Sequence, residues 1–175
     1  MYMDLLILIQ IEKAPKHGYE IKKEIQKDLG YLMDVNHNLL YPALRRFTEE
    51  GAVSRKRIEQ EGRPNQYVYE ITAAGKEKIV ELVNAFTEKE AKHYIEFMIR
   101  VSLFDRISRE NRLRILNMRK RHLEAQLADI EKRKDDHAGM FRSEVLQYSL
   151  SRVRGEMLWI DELIRKTGNT DMESN

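Results

Sequence analysis

A chain of 175 residues, 34% charged and 42% hydrophobic, is long enough for one sizeable core or two small ones and too apolar to be an extended, disordered polymer. It has no cysteine, which removes disulfides, thiolate nucleophiles and cysteine-ligated zinc and suits a reducing, cytoplasmic setting. The net charge is only +2, with 13 Lys and Arg against 12 Asp and Glu up to Val80 and 18 against 17 after it, so any polyanion must be held by local clusters.

The start, Met1 to Lys13, carries Asp4 where a secretory leader wants positive charge. Its apolar run is too short for a membrane span, so the expectation is a first helix and no membrane partner. Leu5, Leu6, Leu8 and Ile9 give that helix a wide apolar face, and Pro15 with Gly18 marks the break after it. Ile21, Ile25 and Leu29 recur every four residues and predict a second helix from Gly18 to Leu29. Lys16, Lys22, Lys23 and Lys27 are left in solvent or near a polyanion, while Tyr19 is expected in the core with a wet hydroxyl.

Asn36 to Gly51 predicts a third helix. Leu40, Leu44 and Phe47 share one side, while His37, Asn38, Tyr41 and Arg45, with Thr48 near them, occupy the other. Pro42 suits a first turn, so the regular helix starts shortly before it or kinks there, and Gly51 supplies the stop. A helix with one buried side and one side of amide, hydroxyl and guanidinium groups suits the DNA major groove, whose base edges present a readable donor and acceptor pattern. On these residues alone an ordinary amphipathic surface helix is the favoured reading.

After Gly51 the period changes to two. Val53–Ile58 and Gln66–Ile71 predict a two-stranded hairpin around a tip containing Gly62, Arg63, Pro64 and Asn65. Arg55, Lys56, Arg57 and Arg63 make it basic, which is consistent with discouraging edge pairing as well as with phosphate contact. Arg63, Asn65 and Gln66 are the wing residues expected at DNA, together with Lys22 from the second helix. Thr72 is placed to cap a fourth helix, giving the order of a winged helix-turn-helix domain over residues 1–86.

HGYEIKKEI at 17 to 25, LLYPALRRFTEEGAV at 39 to 53, GRPNQYVYEITAAG at 62 to 75 and the helical remainder resemble the PadR family of bacterial transcriptional regulators over nearly the whole chain. LGYLMDVNHNLLYPAL further resembles the branch of AphA-like virulence activators, although many relatives carry Ser and Gly where this chain has Asn36 and Asn38. The resemblance implies a DNA-binding regulator that pairs as a homodimer. Its relatives sense phenolic acids or lipophilic drugs, so a small aromatic or lipophilic effector near Trp159, Tyr148, Phe97 and Tyr94 is an expectation, against plain core packing of the same residues.

Residues 87–167 predict an all-helical dimerisation domain and 168–175 a polar, frayed tail. Glu88 to Phe104 reads as one helix. Ser108 caps a long helix carrying Leu113, Leu116, Leu123, Leu127 and Ile130, interrupted in its pattern by Lys120. After Gly139, Leu146, Leu150, Val153, Met157, Ile160 and Ile164 alternate by four and three, with Trp159 and Leu163 as surplus apolar surface that invites a second chain. Leu123, Leu127, Val153, Met157, Trp159, Ile160 and Ile164 are therefore the expected dimer residues.

The five His lie at 17, 37, 93, 122 and 137 with no pair at helical spacing, and there is no Gly-rich phosphate loop. No enzyme, cofactor or metal site is expected. The favoured function is a homodimeric repressor on an inverted-repeat operator. The alternative is a winged-helix interaction adaptor without DNA binding, which would have little reason to keep Arg45 and Arg63 on a groove-facing surface.

Overall fold

The computed structural model describes residues 2–30, 37–58, 66–133 and 139–169, which fall into two compact units. The first is Met1–Ala85 with Met98–Arg106, and the second is Phe86–Phe97 with Ile107–Asn175.

The first unit is built around α1 (Tyr2–Lys13). Met3, Leu5, Leu6, Ile7, Leu8 and Ile11 are all buried, so this helix is apolar on more than one side, as a central helix must be. α2 (Gly18–Leu29) buries Ile21 and Ile25 against it, and α3 (Leu40–Glu49) follows a single 3-10 turn at His37–Leu39. Pro42 sits in the first turn of α3, where its missing N–H leaves no hydrogen bond unmade. Gly51 has φ +72°, the left-handed conformation that ends α3 and turns the chain into the sheet.

The sheet has three strands where the sequence predicts two. β2 (Val53–Ile58) and β3 (Gln66–Ile71) form the expected hairpin, Val53 opposite Ile71 and Ile58 opposite Gln66. On the other edge of β3, β1 (Lys16–His17) pairs antiparallel, Lys16 with Tyr69 and His17 with Val68. Two residues are too few to show a period, so this strand exists through its partner alone. Lys16 is drawn inward by it, its Nζ donating to the Gln10 carbonyl at 2.7 Å, and does not stand in solvent as expected.

α4 (Ala73–Asn84) starts at the predicted cap: Thr72 Oγ1 accepts from the Gly75 N–H at 3.1 Å. The segment Met98–Arg106 completes this unit, burying Ile99 and Leu103 and pairing Arg106 with Glu12 through two contacts of 2.9 and 2.6 Å.

In the second unit the single helix expected over Glu88 to Phe104 is broken. α5 (Glu88–Ala91) ends after one turn, α6 (Tyr94–Val101) restarts after Lys92 and His93, and a 3-10 turn spans Phe104–Arg106. No Gly or Pro causes this. Arg119, 4% exposed, donates through Nη1 to the Ala91 carbonyl at 2.6 Å, taking the acceptor that a continuous helix would use four residues on. The break also allows Ala91 and Phe97, six residues apart and so about 120° apart on an uninterrupted helix, both to be fully buried.

α7 (Arg109–Lys132) is capped by Ser108, whose side chain accepts from Asn111, and α8 (Met140–Asn169) begins directly after Gly139. Arg109 meets the Thr167 and Gly168 carbonyls, Arg119 meets Glu156 and Arg154 meets Glu131, so the two helices run antiparallel. Leu116, Leu123, Leu150, Val153 and Ile160 fill their seam. Arg119 is buried there because Glu156 takes its Nε and Nη2 at 2.7 and 3.0 Å and the Phe97 ring lies beneath it at 5.6 Å.

At Gly75, a Cβ would lie 2.1 Å from the Ala52 carbonyl oxygen. Gly75→Ala, which in an exposed helix interior would add stability, is therefore expected to lower that of the first unit by about 1–3 kcal/mol. Chemical denaturation followed by circular dichroism checks this; a stabilised variant would show that the contact is soft.

Candidate nucleic-acid interface

α3 separates its residues cleanly. Leu40, Ala43, Leu44 and Phe47 are 4% exposed or less, whereas Tyr41 is 60% exposed and the Arg45 side chain 82%. Its two adjacent arginines have opposite fates. Arg46 turns back to the start of α1, Nη2 meeting Asp4 at 2.5 Å and Nε meeting Glu50 at 3.6 Å, with its guanidinium 4.9 Å from the centre of the Phe47 ring. Arg45 projects outward, held among the described residues by Glu49 alone, at 2.9 Å through Nε. Thr48 spends its hydroxyl on the Leu44 carbonyl at 2.8 Å. Asn38 is exposed on the turn leading into α3, which His37 opens; the His37 side chain lies outside the described residues.

Beside this face, α2 presents Lys22, Lys23 and Lys27, all exposed, as expected. Tyr19 departs from expectation: it is 56% exposed, not part of the core, because it stacks on the His17 ring at 5.8 Å where the helix begins. His17 is fixed in turn by a 3.1 Å contact between Nδ1 and the Tyr67 carbonyl. A cleft of about 200 Å³ thus joins Tyr19 of α2, Tyr41 of α3 and Gln66 and Tyr67 of β3. Gly18 lets it form, since a Cβ there would stand 2.8 Å from the Tyr41 ring.

On β2, Arg55 lies 4.4 Å above the Tyr67 ring and close to the Tyr69 side chain. Burial raises the pKa of that tyrosine against the pull of Arg55, so it stays a neutral hydroxyl. Lys56 and Arg57 are exposed further along the strand. Gln66 is half-buried opposite Ile58, while Arg63 and Asn65 lie outside the described residues. The structure therefore brings Tyr41 and Gln66 to one cleft and sets Arg45 and Lys22 on α3 and α2. It sets Tyr19 and Tyr67 beside them and stacks Arg55, already singled out in the basic cluster, on Tyr67; these placements were hidden because they depend on the pairing of β1 with β3 and on cross-strand stacking. Among the described residues no cluster of His, Asp or Glu is arranged to hold a metal ion, and no helix is long and apolar enough to cross a membrane.

Of the expected dimer residues, Leu123, Val153 and Ile160 are buried within the single chain. Leu127, Met157, Trp159 and Ile164 are half-buried, Trp159 meeting the edge of Phe97 at 6.1 Å. The large apolar groups left exposed on α8 are Met140, Phe141, Val145, Tyr148 and Leu158.

The sequence profile described as the transcriptional regulator PadR-like family matches residues 7–81, the span that holds α1 to α4 and the wing. Over residues 7–81 the chain matches the PadR-like family of transcriptional regulators. A second profile, virulence activator alpha C-term, matches residues 95–167. The negative transcriptional regulator PadR of Bacillus subtilis is 22% identical over 125 residues, covering 71% of this chain and 69% of that protein. Two crystal structures of Bacillus subtilis PadR are also similar. The complex with operator DNA has 20% identity and a TM-score of 0.46, covering 95% of this chain and 99% of that one. The complex with p-coumaric acid has 19% identity and a TM-score of 0.42, covering 96% and 99%.

Gly18→Ala should push the Tyr41 ring aside, because the end of a side chain yields more readily than backbone. The expected outcome is unchanged helix content with DNA affinity lowered by roughly 0.5–1.5 kcal/mol, about the value of one hydrogen bond. Fluorescence anisotropy on a duplex enriched by the wild-type protein checks this; undiminished affinity would remove Tyr41 from the interface.

Proposed function

We propose that this chain is a homodimeric repressor that binds an inverted-repeat operator in the cytoplasm, with residues 1–86 on the DNA and residues 87–167 joining the two copies. The observation that carries the reading is the division of α3 into a buried apolar side and an outward side bearing Tyr41 and Arg45, with exposed Asn38 on the turn that leads into it. These three residues, with His37, meet base edges, Arg45 offering the donor pair that guanine accepts. Lys22, Arg63, Asn65 and Gln66 hold phosphates and fix the register. The repressor role is supported by the Bacillus subtilis relative, a negative regulator.

Self-association is supported by α8. Phe141, Val145 and Tyr148 follow one another at spacings of four and three and are 63–79% exposed, and Leu158 further along is 72% exposed. Gly155 between them has nothing within 4 Å of where a Cβ would stand. A glycine inside a helix costs about 1 kcal/mol relative to alanine, a cost that close approach of a second helix offsets. A small aromatic or lipophilic effector, the class of the p-coumaric acid bound in one PadR structure, acts by shifting the separation of the two recognition helices. Tyr94 and Tyr148, both exposed, and half-buried Trp159 are the aromatic groups that support such a site in the helical unit.

A two-fold dimer places its recognition helices on one DNA face only if they stand about one helical turn apart, roughly 34–36 Å or a multiple of it. Footprinting on duplexes with altered half-site spacing tests this: inserting about half a turn abolishes specific binding, and tight protection of a single half-site by a monomer refutes the proposal. Light scattering tests the contact itself. Tyr148→Glu together with Leu158→Glu should give folded monomers, and a wild type that is monomeric at micromolar concentration would contradict the dimer. Arg45→Ala should cost roughly 1–3 kcal/mol at particular base pairs, whereas Arg63→Ala should weaken binding to most sequences and flatten the salt slope by about one unit.

A further inference from the structure

Arg45 and Glu49 face a cleft of about 410 Å³ that is also lined by Thr48 and Arg55. Within it Arg45 makes one polar contact, Nε to Glu49 Oε1 at 2.9 Å. Its two terminal amino groups have no partner among the described residues. We infer that Glu49 is a positioning residue for DNA recognition: its carboxylate pins the Arg45 guanidinium by Nε and so presents the terminal pair end-on to a guanine. This deepens the reading of α3 as the base-reading helix and rests on it.

Stability does not explain the pair. The side chains are 82% and 64% exposed, and ion pairs in that setting contribute little. The order is also the weaker one on a helix, since an acid four residues before a base aligns better with the helix dipole than the reverse. Phosphate binding does not explain it either, because a carboxylate beside the guanidinium cancels that arginine's charge and repels phosphate oxygens, leaving Arg55 as the cleft's net cation. Arg46, one residue on, shows the alternative: its Nη2 and Nε are both committed to carboxylates, so it has no free fork to offer.

Guanine recognition has the opposite requirements. It needs two parallel N–H donors in fixed directions toward O6 and N7 and gains little from net charge. A long side chain that is ordered before binding loses less rotamer freedom on contact. Occupying Nε removes the side-on approach and leaves the end-on one, so a single acceptor four residues along the helix selects the geometry.

Two substitutions separate positioning from repulsion. Alanine at 49 removes both acceptor and charge, while glutamine keeps an amide oxygen that can accept the Nε–H and removes only the charge. Neither threatens α3, because the site is exposed and both residues are good helix formers. The full-length wild type is used to enrich duplexes from a randomised pool, and each base pair of the enriched duplex is then varied. The expected result is that Arg45→Ala abolishes preference at one guanine and Glu49→Ala reduces preference at the same position about tenfold, within the roughly 5- to 150-fold that a bidentate contact supplies. Glu49→Gln should keep most of that preference while binding an unrelated duplex more tightly, and Arg45→Ala with Glu49→Ala should be no worse than Arg45→Ala alone. Full preference in Glu49→Ala, where Arg45→Ala has lost it, overturns the inference. Equal tightening of both Glu49 variants on every duplex overturns it too, since the carboxylate then only repels. If the wild type enriches no sequence, or Arg45→Ala keeps every preference, the reading of α3 itself fails.

Discussion

The first unit depends on one junction, where Gly51 and Ala52 meet Thr72 and Gly75. Gly51 turns the chain out of α3 at φ +72°. The Thr72 N–H donates to the Ala52 carbonyl at 3.1 Å, and its hydroxyl lies 2.7 Å from the Gly51 carbonyl and 3.0 Å from that of Ala52. The same hydroxyl accepts from Gly75, whose missing side chain lets α4 press against the Ala52 backbone. The end of α3, both roots of the wing and the start of α4 are thereby fixed to each other within a few residues. Backbone hydrogen bonds in a tightly packed site tolerate little change of angle, so the wing is set relative to α3 before any DNA arrives.

Around that frame, the division of cations explains how a nearly neutral chain can meet a polyanion. Arg46, Lys16, Arg106 and Arg119 are spent on internal partners, the last deep in the helical unit. Lys22, Lys23 and Lys56 are exposed with no carboxylate partner among the described residues, and Arg45 is held by Nε alone. Total charge counts both groups equally, whereas affinity for phosphate counts only the second.

Much of this was legible in the sequence. Leu40, Leu44 and Phe47 mark the buried side of α3 by spacing alone, and Thr72 and Ser108 mark helix starts because an N-terminal N–H needs an acceptor. What escaped were features set by distant partners. The break between α5 and α6 has no Gly or Pro to announce it and follows from Arg119 reaching the Ala91 carbonyl, 28 residues away. β1 is two residues long and exists through Val68 and Tyr69. Arg119 carries no local mark of its burial, since nothing near it in sequence shows that Glu156 and Phe97 will surround it. Tyr19 and Arg55 gain their places from His17 and Tyr67, contacts that only the folded sheet creates.

The central claim is that the outward side of α3 meets DNA while the junction at Thr72 stays rigid beneath it. Amide chemical-shift mapping of the full chain on a duplex enriched by the protein itself tests this most directly. The account predicts the largest changes at Asn38, Tyr41, Arg45 and Glu49, smaller ones at Tyr19 and Lys22, and almost none at Thr72 and Gly75. Changes centred on α4 or α7, with α3 unmoved, would contradict it.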